Sequence, residues 1–137
     1  MSGGRLVRIG MATVASAALV VAMGGSASAE GTTVGIDRTW GEGTFVPHGE
    51  HVYVHDQDAD GYSVWAKIER YEKVGLDAWA WRDYRTGSNC YDTTSRGNPR
   101  VECNYSFDEN MTVRVCIVRK KDGTRYGDWQ CSPSTKS

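Results

Sequence analysis

Three aspartates at alternate positions form the sharpest chemical signal in the sequence. Asp56, Asp58 and Asp60 occur in the segment DQDADGY and are followed at once by Gly61. This D-x-D-x-D-G pattern is the first half of a calcium-binding loop, in which carboxylates converge on the ion and glycine permits a sharp turn. The twelfth position of such a loop carries a Glu, but here it is Lys67. Calcium ligation by the three aspartates therefore competes with a plain turn between strands, which we favour. We expect no other cofactor.

No catalytic constellation accompanies this loop. The sequence contains no G-x-S-x-G nucleophile elbow. The carboxylates of Glu69, Asp77 and Asp83 fall on predicted strands, without a pairing that the sequence can establish. A two-carboxylate glycosidase would also need a deep cleft between its acids, for which so short a chain leaves little room. We therefore expect that the protein is not an enzyme.

The chain contains four cysteines, which predict two disulfides. Three connectivities are open in principle, and local geometry favours one of them. Cys116 and Cys131 are centred on a turn signal around Gly123, so a hairpin there would bring them face to face. The remaining pair is then Cys90 with Cys103. A zinc site is disfavoured because the C-x-x-C spacing is absent.

Residues 1–29 have the three parts of a secretory signal peptide. Arg5 and Arg8 precede an uncharged apolar run at residues 11–23, and Ala27, Ser28 and Ala29 form a small-x-small cleavage pattern. The apolar run is shorter than the roughly 20 residues that span a bilayer. We therefore expect cleavage after Ala29, a secreted extracellular product and no membrane span.

The charge of the remaining chain argues against nucleic-acid binding. The whole chain has a net charge of −1, and removal of two arginines with the signal peptide lowers it to −3. Nucleic-acid binding needs clustered Lys and Arg to meet the phosphates. A partner protein, or a glycan, is more compatible with this composition.

Alternating apolar and polar residues predict an all-β fold. Short runs with this period recur between turn signals such as Asp60-Gly61 and Asp122-Gly123, and no helical period is sustained. Six to seven strands in this length predict a small antiparallel β-sandwich or barrel with two disulfides. We place the β-domain at residues 44–137.

Residues 30–43 are rich in glycine and predict a flexible N-terminal arm. Val34, Ile36 and Trp40 are its isolated apolar residues. Val34 and Ile36 would point to the same side of an extended chain, which suits strand addition to a groove of a partner. The competing interpretations are a disordered tail and the first strand of the domain's own sheet.

The tryptophans divide into a predicted core pair and a predicted contact residue. Trp79 and Trp81 share a face of one strand and are assigned to the core, because large apolar residues are usually buried. The alternative for this pair is an exposed platform for a sugar or protein partner. Trp65 lies opposite the apolar face of its strand, beside Lys67, and is a candidate partner-binding residue together with the arm.

The segment at residues 111–118, followed by a turn and Cys131, resembles a family of small secreted actinobacterial β-domain proteins. The turn at residues 56–61 with the strand at residues 62–68 adds to this resemblance, which implies an exported β-fold and a turn that tolerates loss of its middle acid. A more remote similarity is to the small linker subunit of umbrella toxin particles. It implies a secreted, non-catalytic adaptor that binds another protein. The alternative is a carbohydrate- or cell-wall-binding module that uses exposed aromatic residues.

Overall fold

The protein is an all-β domain of two antiparallel sheets. The computed structural model describes residues 31–85, 89–94 and 97–137, so the predicted signal peptide lies outside the described residues. The ten strands are β1 (Val34–Arg38), β2 (Gly41–Val46), β3 (His51–Asp56), β4 (Ser63–Lys73), β5 (Trp79–Asp83), β6 (Cys90–Asp92), β7 (Val101–Asn104), β8 (Thr112–Lys121), β9 (Thr124–Cys131) and β10 (Thr135–Lys136). The predicted fold class is confirmed, with more strands than the six to seven expected.

The first sheet contains four strands in the order β1-β2-β3-β7. β1 pairs with β2 from Val34↔Phe45 to Arg38↔Gly41, and β2 pairs along its whole length with β3. The prediction of a flexible arm at residues 30–43 is therefore wrong for residues 34–43. These residues form the edge strand of the sheet and the start of its neighbour.

The second sheet contains six strands that occupy four rows. β4 and β8 pair at its centre, from Ser63↔Lys120 to Arg70↔Val113. β5 and β6 lie one after the other along the free side of β4, and β9 and β10 do the same along β8. Two of the four rows therefore consist of two short strands each. This explains part of the difference between the observed and the predicted number of strands.

The core lies between the two sheets and follows the period-two alternation of the strands. Phe45, Val52 and Val54 face inward from the first sheet and are fully buried. The second sheet contributes the alternate residues of its two central strands, which are Val64, Ala66, Ile68, Val113, Val115 and Ile117.

The two disulfides have the predicted connectivity. Cys90–Cys103 joins β6 to β7 and therefore ties one sheet to the other. Cys116–Cys131 joins β8 to β9 inside one hairpin. The turn of that hairpin is Asp122-Gly123, where both residues have positive φ, as a two-residue type I′ turn requires.

Two glycines of β2 allow the sheets to approach closely. A Cβ atom on Gly43 would lie 2.4 Å from Ile117 Cγ2, and one on Gly41 would lie 2.6 Å from Val64 Cγ2. Both glycines are buried and face the second sheet. The glycine content that suggested flexibility is therefore a packing requirement.

We expect Gly43→Ala to lower the free energy of unfolding by roughly 1–3 kcal/mol, the usual cost of overpacking a core. Urea denaturation measures this change. Gly75→Ala is the matched control, because a Cβ there would make only an ordinary 3.5 Å contact with Ala78. Equal effects of the two substitutions would contradict the close approach of the sheets.

Candidate functional site

The outer face of the six-stranded sheet is covered by aromatic and charged side chains. Alternation along β4 buries Val64, Ala66 and Ile68 and turns the residues between them away from the core. Cross-strand neighbours on β5, β6, β8 and β9 extend this surface. We call it the outer face; its principal residues are Trp65, Lys67, Glu69, Tyr71, Trp79, Trp81, Asp83, Tyr91, Arg114, Lys120 and Trp129.

The core assignment of Trp79 and Trp81 is wrong. Trp79 pairs with Lys73 and Trp81 with Tyr71, so both lie on the face of β4 that points away from the first sheet. Trp79 is 57% exposed and Trp81 is partly buried. Trp65 lies on the outer face as expected, although it too is partly buried.

An ion-pair network occupies the centre of the outer face. Arg114 donates through Nε (2.9 Å) and Nη2 (2.6 Å) to Glu69 Oε2. Lys67 Nζ lies 2.7 Å from Glu69 Oε1 and 2.6 Å from Asp83 Oδ1. The side chains of Lys67 and Glu69 are each only 12% exposed. Two cations and two anions thus neutralise one another across β4, β5 and β8.

Two cations of this network also cover tryptophan rings. The guanidinium of Arg114 lies 4.2 Å from the centre of the Trp81 ring, and Lys67 Nζ lies 4.5 Å from that of Trp129. Such cation–π contacts stabilise partly desolvated pairs. Trp129 reaches this position because Gly127, Asp128 and Trp129 stand opposite a single residue of β8, in a bulge where Gly127 has φ 80°.

The β4–β5 hairpin projects from one end of the outer face. β4 pairs with β8 as far as Arg70, so residues 71–73 have only β5 beside them. The Tyr71 ring stacks on Trp79 at 5.6 Å between ring centres and contacts Trp81 at 5.2 Å. At the tip, Leu76 is 90% exposed. We call Tyr71, Val74, Leu76 and Trp79 the hairpin cluster; all four are exposed.

The pattern that produces the hairpin cluster is visible in the sequence. Pairing centred on Leu76 places Tyr71 opposite Trp81 and residue 73 opposite residue 79, by the same rule that predicted the Cys116–Cys131 pair. Tyr71, Val74 and Leu76 were not among the predicted contact residues, although the same rule applied to residues 71–81 would have placed them in one hairpin.

The predicted contact residues of the arm pack against this chain's own core. Ile36 is a buried core residue, and Val34 and Trp40 are partly buried against the core. β1 pairs with β2, so the structure supports the competing interpretation of the arm as the first strand of the domain's own sheet. Partner binding by these three residues stays a prediction.

Two of the three aspartate side chains of the acidic loop, those of Asp56 and Asp60, bind the local backbone or a neighbouring cation. Asp56 Oδ1 accepts a hydrogen bond from the Asp58 amide, and Asp60 Oδ1 accepts one from the Tyr62 amide. Asp60 Oδ2 pairs with Arg119 Nη1 at 3.3 Å. Among the described residues, one group has possible metal-ligand atoms that all lie within 4.8 Å of one another. It consists of Glu69, Cys116 and Cys131. That group holds no free thiol, because its two cysteines form a disulfide.

A further acid, which is not part of the acidic loop, lies beneath it. Asp92 is fully buried, and its Oδ2 accepts a hydrogen bond from the Asp56 amide at 2.9 Å. Burial raises the pKa of the Asp56 carboxyl, and the negative charges of Asp92, Asp60 and Asp58 add to this rise, whereas the hydrogen bond from the Asp58 amide opposes it. The loop is thus anchored to the core by two buried carboxyl groups.

We expect millimolar calcium to leave the melting temperature unchanged, because oxygens of Asp56 and Asp60 already accept hydrogen bonds within the turn. Any ion that bound only the folded state would raise the melting temperature by mass action. Thermal unfolding with and without calcium makes the measurement. A rise that Asp58→Ala abolishes would establish the calcium loop instead.

The raised pKa of Asp56 predicts a specific pH dependence of stability. Between its ordinary and its folded pKa, the folded protein holds more protons at this group than the unfolded chain, so stability falls as pH rises through this window. Asp56→Asn keeps an oxygen acceptor for the Asp58 amide and removes this loss of stability at rising pH. We therefore expect the variant to gain stability over the wild type as pH rises from the ordinary Asp pKa through the raised pKa of Asp56, measured by urea denaturation. A pH-independent difference would contradict this expectation.

In the described part of the chain, no helix is long and apolar enough to cross a membrane. A scan against protein-family models found no match, and neither did searches of curated proteins and of solved structures.

Proposed function

We propose that the protein is a non-catalytic binding module that attaches to another protein through the hairpin cluster. The observation that carries this proposal is the exposure of Leu76 and Trp79 on a hairpin that extends past the sheet. Large apolar side chains grouped on a projecting element are typical of contact sites. Tyr and Trp, moreover, contribute most to binding energy at protein interfaces.

The rigid support of the hairpin favours tight association. An isolated two-stranded ribbon is marginally stable in water, but the rings of Tyr71, Trp79 and Trp81 stack along this one. Arg114 continues the stack and connects it to the ion pair with Glu69. Because the contact residues are held before binding, less conformational entropy is lost when the partner arrives.

The same contacts support a non-catalytic role. The carboxylates of Glu69 and Asp83, the acids at the centre of the outer face, are both engaged by Lys67. Glu69 is additionally engaged by Arg114. Each acid therefore serves to position its neighbours on the sheet.

An extracellular location completes the proposal. The two disulfides suit an oxidising compartment, and the predicted signal peptide at residues 1–29 would deliver the chain there. The partner is then a second secreted protein. The resemblance to a linker subunit of secreted toxin particles implies the same class of role, and the hairpin cluster provides one surface for it.

We expect Leu76→Ser to weaken partner binding by about tenfold or more, as removal of an interface hot spot does. Immobilised wild-type and variant proteins are exposed to the culture supernatant of the producing organism, and retained proteins are quantified by mass spectrometry. Any protein retained by the wild type should be depleted on the variant. Because Leu76 is 90% exposed, the substitution should leave the melting temperature unchanged.

Asp77→Ser is the matched control, since it alters the neighbouring exposed residue of the same turn without removing apolar surface. It should retain the same proteins as the wild type. Identical retention by wild type, control and Leu76→Ser would overturn the assignment of the hairpin cluster as the contact site.

A further inference from the structure

A cationic cleft lies at the end of the outer face opposite the hairpin cluster. β4 spans its residues from Ser63, at the cleft, to Lys73, at the hairpin, which is about 34 Å at roughly 3.4 Å per residue. The cleft has a volume of about 250 Å³ and is lined chiefly by Tyr62, Ser63, Thr93, Lys120, Lys121 and Asp122. It is too far from the hairpin cluster to belong to the same contact site.

Like charges are placed side by side at this cleft. Lys120 pairs directly with Arg125 across the β8–β9 hairpin, an arrangement that destabilises a sheet when no anion intervenes. Neither residue forms an ion pair with a carboxylate of the described residues, and Lys121 does not either. Arg119, by contrast, is paired with Asp60. Asp122 is the one carboxylate that lines the cleft, so two lysines without an ion pair to a described carboxylate line it together with a single acid.

Aromatic rings hold the cations of the cleft in place. Lys120 Nζ lies 3.8 Å from the centre of the Trp65 ring, and Lys121 Nζ lies 5.5 Å from that of Tyr62. Tyr91 stacks against Trp65 at 4.7 Å and is about half exposed. Cation–π contact orients an ammonium group without neutralising it, so the positive charge stays available to a ligand.

Hydroxyl groups complete the lining. Ser63 Oγ donates to the backbone oxygen of Lys120 and accepts a hydrogen bond from Trp65 Nε1 at 3.4 Å. Thr93 lies on the other side of Ser63, where β6 leaves β4. A small concave site that combines ring faces, hydroxyls and cations has the chemistry to hold a sugar ring that carries a negative charge.

We propose that this cleft binds an anionic sugar residue, such as a uronate or a sulfated sugar, at the end of an extracellular polysaccharide. The charged group meets the lysines of the lining, Lys120 and Lys121, and the sugar hydroxyls bond to Ser63 and Thr93. An acidic protein segment would also meet the cations, but a cleft of about 250 Å³ accommodates one sugar residue better than an extended chain. This site is independent of the proposed protein contact.

The test is a calorimetric titration of the full mature protein with a short oligogalacturonate, a sulfated oligosaccharide and a neutral oligosaccharide of matched length. We expect binding of at least one anionic oligomer, weakening as sodium chloride screens the charges, and no comparable binding of the neutral one. Lys120→Gln should weaken the binding about tenfold, the usual effect of losing one charge-assisted contact. The same substitution should not lower the melting temperature, because it also removes the repulsion between Lys120 and Arg125.

Lys73→Gln removes the same charge at the far end of β4 and is the matched control, which should bind as the wild type does. The proposal is overturned if the neutral oligomer binds equally well, or if neither anionic oligomer binds. It is also overturned if Lys120→Gln retains full affinity. Equally tight binding of a short polyglutamate would replace the sugar with an acidic protein segment. None of these outcomes depends on Leu76, so the protein contact is tested separately.

Discussion

The pairing of β4 with β8 is the constraint on which both surfaces of the molecule depend. Its register, from Ser63↔Lys120 to Arg70↔Val113, fixes which residues of two long strands face the first sheet. Because side chains alternate, a slip of one residue would exchange Val64, Ala66 and Ile68 with the charged and aromatic residues between them. The core and the outer face are therefore two consequences of one register.

Contacts on the outer face oppose such a slip. Glu69 pairs directly with Arg114 on β8 and with Asp83 on β5, and Lys67 joins both acids. Little exposed ion pairs of this kind add less to net stability than their number suggests, because their desolvation is costly. These ion pairs nevertheless form only when β4 and β8 are paired in this one register. The disulfide Cys116–Cys131 fixes the neighbouring pairing of β8 with β9 covalently.

Features that depend on pairing within one hairpin or on alternation within one strand were predicted from the sequence. Features that depend on contact with a strand distant in the sequence were not. The disulfide between Cys116 and Cys131 follows from residues centred on one turn, and the β-class follows from alternation within each strand. The interpretation of residues 34–43 as part of a flexible arm failed because their glycines were taken as a sign of flexibility. The need for Gly43 appears only once Ile117 lies opposite it. The assignment of Trp79 to the core failed for a related reason, since its face depends on the strand it pairs with, and Trp79 pairs with Lys73 on the outer face.

The middle of the outer face differs from its two ends in how its rings are covered. Arg114 lies over Trp81 and Lys67 over Trp129, and these cations are themselves neutralised by Glu69. The charged and aromatic groups in the middle of the outer face therefore already have partners within the chain. At one end, Trp79 keeps more than half of its area exposed, and at the other, Lys120 carries a charge that no described carboxylate pairs. Because β4 separates these ends by about 34 Å, occupation of one leaves room for a ligand at the other, as the joining of a protein to a polysaccharide requires.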